Sequence, residues 1–280
     1  MAIKFTLDPG HYTNYNTGAV KGYYEGNEMF KLAGYLKTAL EQYNGFTVVL
    51  TKETLASNPN LEIRGRFAIN NNSDVFISLH SNAAGASATG VVLFNSLKRP
   101  NSVTLANALG HSVAQLMDTN YRGCLTRLYP GTRNTDYYGV LRSAVRSGNV
   151  PYVYIIEHGF HTNEKECTWL YNDAHLKQLA ETEAAVFAGY FHVTKKNTTV
   201  ISDTNAPFLV APSKSYTFKI TADSRPNFTA GSPLTFTVEF VKQENRDYFF
   251  KVTAIGKSGQ GCGFYINGAK TPVAVATITK

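Results

Sequence analysis

Four side chains in this sequence have the types and settings needed to do chemistry together: His11, Glu25, His80 and Glu157. His11 closes the run Phe5-Thr6-Leu7-Asp8-Pro9-Gly10, His80 closes Asp74-Val75-Phe76-Ile77-Ser78-Leu79, and Glu157 closes Tyr152-Val153-Tyr154-Ile155-Ile156. Two imidazoles and a carboxylate bind zinc and leave a fourth position open for water, which is the arrangement of a hydrolase. Glu157 is hard to explain structurally, because an unpaired carboxylate buried after five mostly apolar residues costs several kcal/mol. Beside a metal it has a use: it accepts a proton from the attacking water and passes it to the leaving amine. Glu25 lies in a polar loop before the first helical pattern, where a carboxylate favours the helix N-terminus, and the residues alone assign it that role. Asn82, two residues beyond His80, would face the same side and could hold a ligand or a substrate amide.

The elements that must position these groups follow from periodicity. The three runs are short, apolar and rich in β-branched or aromatic residues, as in strands covered on both faces. In open α/β sheets the ligand crevice lies just beyond the carboxyl ends of the strands, and the turn Asp8-Pro9-Gly10 swings His11 over that edge. Strands are expected at 3–8, 45–50, 74–80, 91–94 and 152–157. Helices are expected at 28–43 (Met29, Leu32, Ala33, Leu36 and Leu40 on one face), 61–71, 102–118 (Ser102 as N-cap) and 174–191. The last should bury Leu176, Leu179, Val186 and Tyr190. Before 152 the chain reads as a polar loop rich in Gly, Arg and Tyr. The fold class is therefore α/β, a mixed and largely parallel twisted sheet flanked by helices, over residues 1–193. Residues 194–213 read as a linker. Beyond it, alternating runs at 215–220, 234–240, 248–252 and 273–278, separated by turn residues, give a small all-β domain, 214–280, as a sandwich or open barrel.

Composition narrows the class. The 280 residues are 43% hydrophobic and 17% charged, neither disordered nor fibrous, and long enough for one large and one small domain. No apolar stretch approaches the roughly 20 residues that span a bilayer, and the N-terminus runs straight into a strand without a signal-peptide core. Cys124, Cys167 and Cys262 are odd in number and widely spaced, which reads as free thiols in a reducing cytoplasm. The net charge of +7 is uneven: residues 1–194 carry 16 basic and 15 acidic groups, residues 197–280 carry 9 and 5. A basic C-terminal segment favours a polyanionic partner. Its basic residues are scattered and match no nucleic-acid motif, so no nucleic acid is expected. Of the other imidazoles, His158 should point to the opposite face of its strand as a structural residue. His161 falls in a loop, as a substrate contact or a solvent-exposed group, and His111, His175 and His192 read as surface residues.

Taken in order, Leu7-Asp8-Pro9-Gly10-His11, a glutamate before the first helix, Phe76-Ile77-Ser78-Leu79-His80-Ser81-Asn82-Ala83 and Ile156-Glu157-His158-Gly159-Phe160 resemble the zinc-dependent N-acetylmuramoyl-L-alanine amidases of amidase type 3. Arg64 with Ala68, Gly90, Arg122-Gly123, Val140-Leu141-Arg142 and Thr162-Asn163 extend the likeness over residues 1–192. The resemblance implies one zinc ion held by His11, Glu25 and His80, with Glu157 as the catalytic acid/base; Glu28 is the rival for Glu25. It implies hydrolysis of the amide between N-acetylmuramic acid and the L-alanine of the peptidoglycan stem peptide. Two features depart from the family: Tyr12-Thr13-Asn14-Tyr15-Asn16 replaces a glycine-rich stretch, and an imidazole follows the catalytic glutamate. The same metal set would serve a zinc carboxypeptidase or endopeptidase on the stem peptide. Without a signal peptide, a hydrolase of this plan resembles phage endolysins, which collect in the host cytoplasm and act at the wall after release; a mother-cell or spore autolysin is the other setting. The C-terminal domain would then bind the wall, its charge suiting an anionic wall polymer.

Overall fold

The computed structural model describes residues 2–146, 148–196 and 200–280, which fall into two compact units divided between Lys196 and Asn197. In the first unit the chain runs β1 (Ile3–Pro9), α1 (Glu25–Leu40), β2 (Phe46–Leu50), α2 (Leu61–Asn70), β3 (Val75–Asn82), β4 (Val91–Asn95), α3 (Val103–Leu116), β5 (Tyr121–Leu125), α4 (Gly139–Val145), β6 (Tyr152–Phe160), α5 (Glu164–Leu170) and α6 (Asp173–Tyr190). The six strands form one sheet in the order β2-β1-β3-β6-β4-β5. The first four of these are mutually parallel, β4 is antiparallel to β6, and β5 is parallel to β4. The sheet is thus mixed and mostly parallel, as the sequence leads one to expect.

Strand alternation decides which helices cover which face. Phe5, Leu7, Val75, Ile77, Leu79, Tyr154 and Ile156 point into a core shared with Leu32 and Leu36 of α1, Leu109 and Val113 of α3, and Leu179 and Phe187 of α6. The intervening Phe76, Val153 and Ile155 point the other way, against Ala68 of α2 and Val140, Leu141 and Ala144 of α4. Each large side chain buried in this way contributes about 1.5–3 kcal/mol. That double cover leaves the carboxyl ends of β1, β3 and β6 as the open edge where polar side chains converge.

Several expectations need correction. The polar stretch before β6 contains α4, whose three buried apolar residues are masked among Arg142, Ser143 and Arg146. Ser102 stands at the N-cap position of α3 but makes no side-chain cap bond; its hydroxyl lies 2.5 Å from both Asn95 Oδ1 and the Arg99 carbonyl instead. The last helix spans Asp173–Tyr190, one residue earlier than expected, with Asn172 capping it by accepting from the Ala174 and His175 amides, and Val186 and Tyr190 are only partly buried there. β3 and β6 run on past His80 and Glu157, to Asn82 and Phe160.

The second unit has two four-stranded sheets, β10-β13-β14-β8 and β11-β12-β9-β7. Its strands are β7 (Ile201–Ser202), β8 (Phe208–Val210), β9 (Ser215–Thr221), β10 (Phe228–Ala230), β11 (Phe236–Glu244), β12 (Asp247–Ala254), β13 (Gly261–Ile266) and β14 (Ala274–Ile278). Phe218, Phe228, Phe236, Phe250 and Phe264 build its own core. The stretch 194–213 is not wholly a linker, because Lys195 pairs with Tyr43 in the first unit while β7 and β8 are short edge strands of the second. Three-residue or shorter edge strands carry too little alternation to be read from sequence. Glycines hide β13 in the same way.

Candidate metal centre and its acid/base group

The site is assembled from the ends of neighbouring strands. His11 follows β1, His80 lies near the end of β3, and Glu157 is the register partner of His80 on β6. Glu25 is the first residue of α1 rather than a loop residue, and the helix start is brought in by the loop that follows His11. Glu25 N–H donates to the Asn16 carbonyl at 2.9 Å and Gly26 N–H to the Tyr15 carbonyl at 3.2 Å.

One donor atom from each of His11, Glu25 and His80 lies within 4.8 Å of the others. His80 Nδ1 is 2.9 Å from Glu25 Oε1, and His11 Nε2 is 3.2 Å from Glu25 Oε2. Glu25 is buried; Asn16 Nδ2 donates to its Oε2 at 2.7 Å and the Ser81 amide to its Oε1 at 3.1 Å. Burial pushes its pKa up, but the hydrogen bonds from His11 and His80 outweigh burial and hold the carboxyl far below the usual range. Two imidazoles on one ionised carboxylate, with the imidazoles partly open to solvent, form a donor set that suits zinc with a position left for water. Glu28 is turned away and accepts from Lys31 Nζ at 3.1 Å.

Glu157 has no such partners. Its Oε2 is buried without a hydrogen bond among the described residues. Burial first, and the negative charge of Glu25 second, raise its pKa to about 8. A carboxyl group orphaned next to a metal-type donor set is a proton carrier awaiting a reactant.

Close packing fixes the geometry. A Cβ on Gly10 would stand 2.5 Å from His80 Cε1 and 2.8 Å from the Leu79 carbonyl, so glycine alone lets β1 pass this close to the imidazole. His11 itself sits at φ 59°, a left-handed conformation that costs a non-glycine residue about 1 kcal/mol or more. Lys52 Nζ donates to its carbonyl. Behind it, buried Asp8 accepts from Arg64 Nε and Nη2, both at 2.7 Å, from Thr51 and from Ser78. This network anchors the end of β1 to α2 and β3.

The remaining candidates divide. The extra residue of the register shift lies on β6, where Glu157 to Phe160 matches His80 to Asn82, so the alternation of β3 persists, with His80 and Asn82 half-buried and Ser81 between them buried. Asn82 Oδ1 accepts from the Ala83 amide at 2.8 Å. Asn82 makes no hydrogen bond to the four central residues among those described. His158 does point to the opposite face, where it bridges the His80 carbonyl and Glu183 Oε1, each at 2.9 Å. His161 is neither exposed nor at the surface: it is buried, with Nδ1 2.9 Å from Ser81 Oγ, whose hydroxyl also meets Tyr23 Oη at 2.8 Å. Burial lowers its pKa, which favours the neutral ring. Asp8, Asn16, Lys52 and Ser81 were not singled out by sequence reasoning. Only Asp8, a carboxylate inside an apolar run, carries a signal there.

The sequence model of Amidase_3, described as N-acetylmuramoyl-L-alanine amidase, matches residues 6–186. Comparison with curated protein sequences finds no match. Among solved structures, the catalytic domain of CwlV, an N-acetylmuramoyl-L-alanine amidase of Bacillus (Paenibacillus) polymyxa var. colistinus, is similar at 22% identity and TM-score 0.58, over 69% of this chain and 99% of that one. An N-acetylmuramoyl-L-alanine amidase of Clostridium difficile 630 is similar at 24% identity and TM-score 0.58, over 68% and 97%. An amidase of Nostoc punctiforme follows at 21% identity and TM-score 0.56, over 68% and 97%. These likenesses establish a shared fold for the first unit.

Proposed function

Because the chain belongs to the Amidase_3 family of N-acetylmuramoyl-L-alanine amidases, we propose that it is a zinc-dependent peptidoglycan hydrolase, cleaving the amide between N-acetylmuramic acid and the L-alanine of the stem peptide. The observation that carries this reading is the convergence of His11, Glu25 and His80 beside an orphaned, buried Glu157 oxygen. His11, Glu25 and His80 would hold one zinc ion. When bound, the ion supplies Lewis acidity, polarising the scissile carbonyl and making water a nucleophile near neutral pH. Glu157 takes the proton of the attacking water as the C–O bond forms and delivers it to the nitrogen as the C–N bond breaks. Asn16 and the Ser81 amide keep the Glu25 carboxylate aimed, and hydrogen-bond partners of this kind hold a ligand's orientation.

To residues 197–280 we assign attachment to the wall. An independent core and the surplus of 9 basic over 5 acidic groups support an anionic wall polymer as its ligand. The metal assignment is tested by elemental analysis of purified protein: about one zinc per chain is expected, with loss of the metal in His80→Ala and retention in Glu157→Gln. Absence of stoichiometric metal, or a content indifferent to His80, contradicts it.

A further inference from the structure

The loop between His11 and α1 carries two exposed aromatic rings at the rim of the site, Tyr12 (37% exposed) and Tyr15 (39%). Tyr15 stacks on the His11 imidazole, with centroids 4.5 Å apart and planes 17° from parallel, and Tyr12 meets Tyr15 at 5.0 Å. The loop is built rather than loose. His11, Asn14 and Asn16 all take positive φ, 59°, 56° and 54°. Asn14 and Asn27 are joined by reciprocal hydrogen bonds of 2.8 and 2.9 Å. Gly26 lets α1 press on Tyr12, where a Cβ would stand 2.0 Å from the Tyr12 carbonyl. Asn14 and Asn16 enter this left-handed region readily, and the bonds fix the shape of the loop.

The strand order gives the site a direction. Along the carboxyl edge, β1 with His11 comes first, then β3 with His80, then β6 with Glu157. A general acid must reach the leaving nitrogen, so the stem peptide departs on the β6 side. The acyl half of the substrate lies on the opposite side, toward β1 and its loop. We propose that Tyr12 and Tyr15 form the subsite for the muramoyl pyranose ring, its apolar C–H face lying on the tyrosines much as two aromatic faces pack. This rests on the amidase reading and extends it from the bond cut to the half of the substrate that is gripped. The far flank differs in kind: Tyr138 packs on Phe94 at 4.8 Å, and Arg127 lies 3.7 Å from the Tyr137 ring.

The test uses the full chain carrying Glu157→Gln, so that ligands bind without turnover, and two ligands that differ only in the sugar ring: N-acetylmuramoyl-L-alanyl-D-isoglutamine and D-lactoyl-L-alanyl-D-isoglutamine. Adding Tyr12→Ala or Tyr15→Ala is expected to weaken the muramoyl ligand about three- to tenfold and leave the lactoyl ligand unchanged, while Tyr15→Phe leaves both unchanged. Among the described residues Tyr12 packs on Tyr15 and on neither imidazole of the metal-type set, so its variant separates sugar binding from disturbance of His11. Equal weakening of both ligands, or no weakening of the muramoyl one, overturns the platform. If the protein with intact tyrosines binds neither ligand, the amidase reading falls, and the platform with it.

Discussion

A buried carboxyl oxygen with no partner is costly unless a reaction uses it, and among the described residues Glu157 Oε2 is one. Replacing Glu157 with Gln removes the proton carrier but not the shape, so amide hydrolysis should fall roughly 10²–10⁴-fold with substrate binding retained. A linked effect appears in metal-free protein. The folded-state pKa of Glu157 is raised, to about 8, above the ordinary glutamate value it has when unfolded. Between those values the native state holds a proton that the unfolded state has released, so the stability of metal-free protein falls as pH rises through that window. Glu157→Gln lacks this slope, and its advantage over the parent in urea melts should widen from about pH 5 to about pH 8. Parallel stability curves would contradict the assigned environment.

At the scale of elements, what matters is how closely β1 passes β3. Gly10→Ala puts a methyl group against the His80 ring and the Leu79 carbonyl; overpacking of this kind costs about 1–3 kcal/mol. Because the displaced group is a candidate ligand, zinc affinity should drop by about 10–100-fold as well, measurable by competition with a chromogenic chelator. The same strand ends explain what could be read from sequence. His11, His80 and Glu157 stood out because each ends an apolar run, and parallel strands bring such ends to one edge. Glu25 did not, since a carboxylate at the start of a helix already has a structural use; only the ordered family pattern singled it out. Asn82 keeps the period-two relation to His80 that the sequence shows, while the bond its Oδ1 accepts from the Ala83 amide is a local detail no pattern reveals. His161 gave no sign of burial, since its partners Ser81 and Glu25 are far away in sequence. α4 and the short strands β7, β8 and β10 were lost to polar or brief segments, whereas long periodic helices such as α1 were legible.

On the scale of the whole molecule, the two units have separate cores, so the division of labour proposed for them can be tested one unit at a time. Phe264 is fully buried in the second unit and packs on Phe208, Phe218, Phe228 and Phe236. Phe264→Ala should cost that unit about 3–5 kcal/mol, lowering retention on isolated cell walls while leaving cleavage of soluble muramoyl peptides intact. A matching loss of both activities would contradict the division. The first unit's chemistry is tested most directly by identifying the products formed from purified peptidoglycan with and without a chelator. The expected result is release of stem peptides with new L-alanine amino termini and no new reducing sugars, abolished by the chelator and restored by zinc. Peptide cleavage that leaves the muramoyl–L-alanine bond intact, or release indifferent to metal, would contradict the account.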